Sequence, residues 1–333
     1  MSGSELRQLV EVAHLYYVRD LPQKEIASRM GLSRSKVSRM LTKARAQGLI
    51  EIRVRSSLIT ELGLEERLKR ELGLKECLVL AAPDSTDVAE RVGALAGNYL
   101  KENIADGSIV GVGWSSAVYK TVCSDALQQK RGVTVVQLIG SVGDAIIELN
   151  GVYVTGRLAD TLGAQARYMH APMIVTDSAV RDGLTRDPYI RKSLTMARRA
   201  DIMLVGVGAV NENIGQYRAG YLDDDDLKHI RDRGAVGEVV GTYFSREGAV
   251  VPLELNERII GLNFEGLINI PLRVGVSWGV QKALANIGAA RSGLINVLIT
   301  DENAAREMVD VLNGENPPLI SHPGSVTGYQ ARE

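Results

Sequence analysis

From about residue 75 onwards, short apolar runs alternate with amphipathic stretches of helical periodicity, and glycines stand between them. Strands that are apolar almost throughout are typical of a parallel sheet, because helices cover both of its faces. We therefore predict an α/β region at 76–313, built on a doubly wound, mainly parallel sheet. The predicted strands are 76–81, 108–112, 133–139, 201–206, 237–244, 272–276 and 296–300. The predicted helices are 86–103, 115–130, 149–163, 188–199, 223–233, 279–292 and 302–313.

Three of the predicted strands run into turns that combine glycine with polar residues. The segments are GVGWSSA at 111–117, LVGVGA at 204–209 and VGVSWG at 274–279. In an open α/β sheet, a ligand binds beyond the carboxyl ends of the strands, where the strand order reverses. Gly111 and Gly113 would let a ligand approach the backbone, Ser115 and Ser116 would donate hydrogen bonds to it, and Lys282 follows the third segment. The alternative is that these segments are tight turns without a ligand.

Positive charge is concentrated in the first 55 residues of the chain. They hold 11 Lys/Arg and 5 acidic residues, a net charge of +6, although the whole chain carries −1. The other 278 residues hold 28 basic and 35 acidic residues, a net charge of −7. We therefore expect the N-terminal segment, and not the α/β region, to contact a polyanion.

The N-terminal segment predicts three short helices, at 5–18, at 22–30 and from Ser33 to about residue 47. Gly31 is a suitable stop for the second helix, and Ser33 is a favourable N-cap for the third. A second helix, a glycine turn and a third helix with a basic beginning form the helix-turn-helix plan, whose third helix enters the major groove of DNA. The outward residues at the start of the third helix are Arg34, Ser35, Lys36, Ser38 and Arg39.

Two residues outside the third helix are further candidates for DNA contact. Gln23 opens the second helix, where its side chain or the backbone amides can bind a phosphate. Tyr16 could do the same, or it could belong to the three-helix core. For the charged residues of the third helix, the alternative is that they only solvate an exposed helix face. The segment 49–54 alternates like a short strand, so the N-terminal domain is either all-α or winged.

Several other classes of protein fit the sequence poorly. No apolar run approaches the ~20 residues that span a bilayer, so we expect a cytoplasmic protein without membrane contact. Cys77 and Cys123 have no CxxC spacing. The segments 111–116 and 206–211 both lack the last glycine of a dinucleotide-binding motif, so we expect no cofactor. The four aspartates at 223–226 favour helix capping over a metal site, because metal ligands must converge.

The sequence resembles the SorC family of sugar-responsive bacterial regulators, which is sometimes grouped with DeoR-like regulators. The resemblance is carried by LYYVRDLPQKEIASRMGLSRSKVSRMLTKARAQGLIEIRV, then by VGWSSAVYK, VQLIGSVG, VGVGAV, GAVGEVVGTYF and VSWGVQKALANIGAAR. In that family the helix-turn-helix binds operator DNA, and the residues matching Tyr16 and Gln23 are expected contacts. The α/β region would be related in fold to sugar-phosphate isomerases and deaminases.

The resemblance also implies the residues of an effector site. Ser115 and Ser116 would hold a phosphate or terminal hydroxyls of the ligand. Glu238 would accept sugar hydroxyls, and Lys282 would pair with a phosphate or another polar group. Glu238 stands where aspartate is common in the family, and its extra methylene would reshape the hydroxyl contacts. The other residues expected in the same cleft are Gln137, Gly140 and Gly208.

These observations indicate a transcriptional regulator of a carbohydrate or polyol catabolic operon. A DNA-binding domain at 1–55 would precede a domain at 76–313 that binds a sugar, polyol or sugar phosphate, and 314–333 would be a flexible tail. Between the domains, 56–75 would be a connecting helix, either a solvated linker or an oligomerisation seam, and the resemblance implies a homo-oligomer, namely a tetramer. The alternative is a sugar-phosphate isomerase or deaminase with a DNA-binding appendix. Such an enzyme needs an acid and a base that converge on the sugar, and the sequence shows no partner for Glu238, so we predict no enzyme.

Overall fold

The computed structural model describes residues 3–19, 21–46, 49, 61–81, 86–142 and 146–314. The chain divides into two compact units: the head, Met1–Ser56, and the body, Ser57–Glu333. The helices described in the head are α1 (Gly3–Tyr17), α2 (Gln23–Met30) and α3 (Arg34–Ala46).

The body alternates strands and helices along most of its length. Its described helices are α4 (Leu62–Leu72), α5 (Val88–Asn103), α6 (Ser116–Val122), α7 (Gly151–Leu162), α8 (Ser178–Arg186), α9 (Pro188–Ala197), α10 (Gly215–Arg218), α11 (Asp224–Asp232), α12 (Phe264–Ile268), α13 (Ala283–Arg291) and α14 (Glu302–Asn313). Its strands are β1 (Glu76–Leu80), β2 (Ile109–Val112), β3 (Thr134–Gln137), β4 (Gln165–Arg167), β5 (Ile202–Gly206), β6 (Gly208–Ala209), β7 (Gly237–Val239), β8 (Thr242–Phe244), β9 (Leu272–Val276) and β10 (Val297–Asp301). None of the helices in these described ranges is long and apolar enough to cross a membrane.

The head folds around the apolar faces of its three helices. Helix α2 ends at Gly31, whose φ of 64° is a left-handed conformation that suits glycine. Helix α3 follows Ser33, whose Oγ accepts a hydrogen bond of 3.2 Å from the Lys36 amide. The three predicted helices and the Ser33 cap are confirmed, whereas the predicted strand at 49–54 lies outside the described residues, apart from Leu49. The core residues of the head are Leu9, Val12, Ala13, Ile26, Ala27, Val37, Leu41 and Ala44.

Seven parallel strands of the body form one sheet, in the order β1-β10-β9-β5-β2-β3-β4. Buried side chains on one face pack against α4, α9, α13 and α14, and those on the other face pack against α5, α6 and α7. Helices on both faces make this the predicted doubly wound α/β fold. The chain builds the sheet outwards from β2 to β4 and then returns to place β5 beside β2. The strand order therefore reverses between β2 and β5.

The structure corrects the prediction of a single strand at 237–244. This segment forms the antiparallel hairpin β7–β8, which pairs with β6 in a separate three-stranded sheet. The chain turns at Val240 and Gly241, whose φ values of 51° and 74° are both left-handed. Two successive residues of positive φ are typical of a tight hairpin turn, and a valine there is strained.

Two further predictions of helix differ from the structure. The helix predicted at 115–130 ends already at Val122. The helix at 279–292 begins as a short 3₁₀ turn, Val280–Lys282, before α13. The aspartates at 223–226 do cap α11 as predicted, because Asp223 and Asp226 exchange hydrogen bonds of 2.9 and 3.1 Å between side chain and backbone.

The predicted connecting helix is observed as α4, and it belongs to the body. Leu68 is fully buried and Leu72 is 7% exposed, and both lie in the core on one face of the sheet. Those two leucines belong to the core of the body, whereas Leu62 of the same helix is 70% exposed, and an oligomerisation seam at 56–75 stays a prediction. Residues 50–60 and the predicted tail after Gly314 lie outside the described residues.

Candidate functional site

The head presents an exposed polar face at the start of α3. All five predicted DNA-contacting residues of α3 are exposed, while its apolar residues point into the head core. The Ser35 hydroxyl lies 3.0 Å from that of Ser33, and Arg39 Nε donates to the Ser35 carbonyl at 3.4 Å. No ion pair is recorded for Arg34, Lys36 or Arg39 within the described residues. Their charges are therefore available to DNA phosphates and base edges.

The two candidates outside α3 are less exposed. Gln23 is half-buried at the first position of α2. Tyr16 is also half-buried, packs against the head core and meets Tyr17 edge-on, with ring centroids 4.9 Å apart. Tyr16 therefore has a structural role whether or not its hydroxyl contacts DNA.

The body contains a cavity of about 280 Å³ beyond the carboxyl ends of β2, β5 and β9. This volume is near the lower end of small-ligand pockets, ~300 Å³. The cavity lies where the strand order reverses between β2 and β5, as the fold predicts. Trp114 and Trp278 supply aromatic walls. Its charged lining residues, among those the structure describes, are Arg218, Glu238 and Lys282.

Ser115 and Ser116 stand at the junction of β2 and α6, on the cavity wall. Ser115 caps α6, because its Oγ accepts a hydrogen bond of 3.1 Å from the Val118 amide. The Ser116 hydroxyl donates to Glu148 Oε2 at 2.6 Å and accepts from Arg218 Nη1 at 2.9 Å. Both serines are thus engaged in hydrogen bonds within the protein.

Glu238 and Lys282 are an acidic and a basic residue of the same cavity wall. Glu238 Oε2 accepts a hydrogen bond of 2.8 Å from the Gly241 amide in the β7–β8 turn. Gly208 pairs with Glu238 across β6 and β7, and a Cβ at Gly208 would stand 2.7 Å from Glu238 Oε1. Glycine at 208 therefore leaves room for the longer glutamate side chain. Gln216, which is 1% exposed, lies near the carboxylate and lowers its pKa, and its own Oε1 is buried without a hydrogen-bond partner.

Burial shifts both members of this pair towards their neutral forms. It raises the pKa of Glu238, and the Gly241 amide, Gln216 and the charge of Lys282 oppose this shift. Burial lowers the pKa of Lys282 from 10.5 to about 8, and Glu238 opposes the shift. At neutral pH Lys282 is therefore mostly charged, and its charge favours the carboxylate form of Glu238.

The structure brings together six of the nine effector residues predicted from sequence, namely Gly113, Ser115, Ser116, Gly208, Glu238 and Lys282. The other three do not line the cavity. Gly111 packs inside the sheet, where a Cβ would stand 2.7 Å from Leu138 Cδ2. The Gln137 amide is buried and bonds to the Ile139 carbonyl at 2.7 Å and to the Met169 amide at 3.2 Å. The carbonyl of Gly140 accepts from Trp114 Nε1 at 2.9 Å, so Gly140 positions a wall of the cavity without entering it.

Several lining residues were not predicted from the sequence, namely Trp114, Asn213, Gln216, Arg218, Trp278 and Gln281. Trp114 and Trp278 lie in the glycine-containing segments 111–117 and 274–279, so their position in the sequence could have predicted that they line the cavity. Asn213, Gln216 and Arg218 lie in the loop and one-turn helix between β6 and α11, which carries no periodic pattern. The carboxylate, cations, amides and aromatic rings of the cavity can together hydrogen-bond a ring or chain of hydroxyls and cover its apolar face.

Comparison with known proteins agrees with this two-part arrangement. A family model described as "Putative sugar-binding domain" matches residues 56–310, and one described as "Crp-like helix-turn-helix domain" matches residues 6–69. The body and the head therefore each match a family of the kind that their geometry indicates.

Relatives match along nearly the whole chain. The "Deoxyribonucleoside regulator" of Bacillus subtilis (strain 168) is 29% identical over 311 residues, covering 92% of this chain and 99% of the relative. The "Transcriptional regulator LsrR" of Enterobacter sp. (strain 638) is 30% identical over 310 residues, covering 92% and 94%. In fold, the full-length sorbitol operon regulator SorC from Klebsiella pneumoniae gives a TM-score of 0.68 at 24% identity, covering 91% of this chain and 99% of that chain. The chain therefore belongs to the DeoR/SorC/LsrR-type family of sugar-binding transcriptional regulators, DNA-binding proteins controlled by a sugar effector.

Proposed function

We propose that the cavity of the body is the effector site, and that a sugar, polyol or sugar phosphate bound there changes the affinity of the head for its operator. The observation that carries this proposal is that a half-buried acid and a half-buried base, Glu238 and Lys282, line one cavity at the point where the strand order reverses. Charged groups withdrawn from water are costly unless hydrogen bonds satisfy them, and ligand hydroxyls can supply those bonds. The effector residues are Gly113, Ser115, Ser116, Gly208, Glu238 and Lys282, together with Asn213, Gln216, Arg218 and Gln281.

On the DNA side, we assign the exposed start of α3 to the major groove. Arg34, Lys36 and Arg39 would contact phosphates or guanine edges, and Ser35 and Ser38 would add hydroxyl contacts. Gln23 at the start of α2 and Tyr16 would fix the register on the DNA backbone. The exposure of the α3 residues and their unshared charges support this assignment.

An operator with two-fold symmetry needs at least two heads at a fixed spacing. We therefore propose a homo-oligomer, a tetramer as the family implies, that works beside the chromosome in the cytoplasm. The mass of the full-length protein in solution, measured by light scattering, tests the tetramer directly, and a monomer at micromolar concentration would contradict it.

We further propose that the effector is bound without being chemically changed. The two groups best able to act as acid and base are Glu238 and Lys282, and each favours the charged form of the other, which opposes proton transfer to a ligand. The named relatives are regulators, which agrees with this reading. Incubating each bound sugar with the protein and looking for a new product tests the alternative of an isomerase or deaminase.

The decisive experiment links the two sites. A panel of sugars, polyols and sugar phosphates is screened by thermal shift of the full chain, and operator affinity is then measured with and without each stabilising compound. We expect at least one compound both to raise the melting temperature and to change operator affinity severalfold. Stabilisation without any change in operator affinity would contradict the regulatory role of the cavity.

A further inference from the structure

The β7–β8 turn contains a residue that is poorly suited to its backbone conformation. Among the residues that the structure describes, Val240 is the one residue other than glycine with a left-handed φ, 51°. A side chain branched at Cβ is strained there, and asparagine or glycine is the usual choice at this place in a tight hairpin. Such strain persists where the surrounding structure enforces it, and it is concentrated at functional sites. The valine side chain is therefore expected to have a role that offsets the strain.

The side chain of Val240 forms part of an apolar side of the cavity. Val240 is half-buried and lines the cavity, and its Cγ2 lies 3.7 Å from the place that a Cβ would take at Gly113. It packs against a buried cluster, three members of which line the cavity as well. We call the four lining residues of this group the apolar wall: Ile139, Leu149, Met173 and Val240. Val240 is the least buried of the four, so it presents the most surface to a ligand.

The apolar wall offers a ligand hydroxyl few partners, because its side chains contain no nitrogen or oxygen and a thioether sulfur is a weak acceptor. The Ile139 carbonyl already accepts from the Gln137 side chain at 2.7 Å. The Met173 amide donates to the Ser141 carbonyl at 2.8 Å, and the Met173 carbonyl accepts from the Ile260 amide at 2.9 Å. A hydroxyl buried against this wall would lose its bonds to water without replacement, which opposes binding. A methylene or methyl group in the same place would gain from leaving water.

The same hairpin carries an acceptor for a hydroxyl. Glu238 stands two residues before Val240, and its Oε2 accepts a hydrogen bond of 2.8 Å from the Gly241 amide. A Cβ at Gly241 would stand 2.9 Å from Ile259 Cδ1 and 3.2 Å from Ile139 Cδ1, so the tip of the hairpin is packed closely against the apolar wall. The turn therefore fixes the carboxylate relative to the isopropyl group of Val240. In a cavity of about 280 Å³, one small ligand meets both groups.

We infer that Val240 makes the cavity specific for a polyhydroxy effector with a deoxy carbon. A methylene or methyl group of the effector lies against Val240, while a hydroxyl of the same molecule donates to Glu238. This inference rests on the proposed function, because it assumes that the effector occupies this cavity. It goes further by naming the chemical class of the effector and a specificity-determining residue. It applies equally to a free sugar and to its phosphate ester, because the apolar wall and the β2–α6 junction are different parts of the cavity lining.

The test compares matched pairs whose two members differ by one hydroxyl and carry the same phosphorylation state. Each compound that stabilises the protein in the thermal-shift panel is paired with its analogue of one hydroxyl more or fewer, as deoxyribose is with ribose or fucose with galactose. Affinities of the full-length wild type are measured by calorimetry. For the deoxy position that faces Val240, we expect the deoxy member to bind about tenfold more tightly, because the extra hydroxyl of the other member is buried without a partner.

Two variants of Val240 and one control separate contact from packing. Val240→Thr keeps the branching at Cβ and supplies a hydroxyl, so it should remove the preference by bonding to the extra hydroxyl of the sugar. Val240→Gly removes the isopropyl group and suits the left-handed turn, so it should also remove the preference, and it should fold even if the threonine variant does not. The matched control is Val236→Thr, at a half-buried valine just before β7 that lies outside the cavity lining. It should keep the wild-type preference.

Three outcomes overturn the inference. One is a wild type that binds the fully hydroxylated member of every pair at least as tightly as the deoxy member, which needs no variant to observe. Another is a preference that survives in either variant of Val240. The third is an equal loss of preference in Val236→Thr, which would mean that selectivity depends on the packing of the body and not on contact with Val240. The failure of the proposed function is a different result, in which no compound of the panel binds at all.

Discussion

The head and the body use charged residues in opposite ways. On the head, Arg34, Lys36 and Arg39 are exposed, form no ion pair within the described residues, and follow one another along α3. In the body, Glu238 and Lys282 come from different segments, are half-buried and line the same cavity. One arrangement suits a long polyanion and the other suits a small enclosed molecule.

The difference follows from the size and charge of each partner. DNA carries a regular array of phosphates, so a helix surface with free cations gains affinity without enclosing anything. A small ligand offers few contacts, so each one must be made in a site that excludes water and fixes geometry. Single substitutions in the head should therefore each lower the affinity for the operator by a modest factor. A single substitution in the cavity should remove most of the affinity for the sugar.

The largest expected effect is on the body. Glu238→Ala removes the carboxylate and leaves Lys282 without its partner, so we expect sugar affinity to fall by about 100-fold. Operator affinity in the absence of sugar should stay within error of the wild type. Calorimetry and operator titration measure the two quantities. Glu265→Ala removes an exposed carboxylate from α12 and serves as the control. A Glu238→Ala protein that still binds sugar normally would remove Glu238 from the site.

The head should respond in smaller steps. Arg34→Ala and Arg39→Ala should each weaken operator binding by about tenfold, and each should lower the salt dependence by about one ion if the arginine contacts a phosphate. Thermal stabilisation by sugar should not change. Arg70→Ala, which removes a guanidinium that is 75% exposed on α4, is the control. Unchanged operator affinity in both head variants would mean that α3 does not enter the groove.

The same contrast explains how much of each site could be predicted from sequence. The DNA-binding face is local: the cap at Ser33, the turn at Gly31 and the cations after it lie within one short stretch. A helical period therefore predicts which residues are exposed. The parallel sheet is similarly visible, because apolar strands separated by helices leave few other arrangements.

The cavity was predicted only in part, because its walls depend on contacts between distant segments. Ser116 and Arg218 are 102 residues apart, and Arg218 lies on a helix of four residues that has no apolar period. The hairpin at 237–244 reads as one strand, since nothing in Val240 signals a left-handed turn. Gln137 has the polarity of a ligand contact, but its amide is used by the backbone of neighbouring loops.

A pH titration sharpens the comparison further. Lys282 should lose its charge as pH rises through about 8, so sugar affinity should fall about fivefold between pH 7 and 9. The free energy of unfolding should instead rise over this pH range. The unfolded lysine, with a pKa near 10.5, binds more protons than the folded one, so unfolding becomes harder as pH rises from 8 towards 10.5. Calorimetry and denaturant titration follow the two trends. Lys282→Met should flatten both, and a wild-type affinity that is level across pH 8 would contradict this role of Lys282.

The smallest effect is expected at Ser33, where a substitution should change the stability of the head with little change in its affinity for the operator. Ser33→Ala removes the oxygen that accepts from the Lys36 amide, so opening of α3 should become easier by about 1 kcal/mol. Hydrogen exchange of the α3 amides in the full chain measures this change. Operator affinity should fall far less than in the arginine variants, because the head remains mostly folded and its cations are intact. Ser33→Asp restores an acceptor at the helix N-terminus and should restore protection. Unchanged protection in Ser33→Ala would show that the cap does not hold α3 in place, and that the packing of Val37 and Leu41 does so instead.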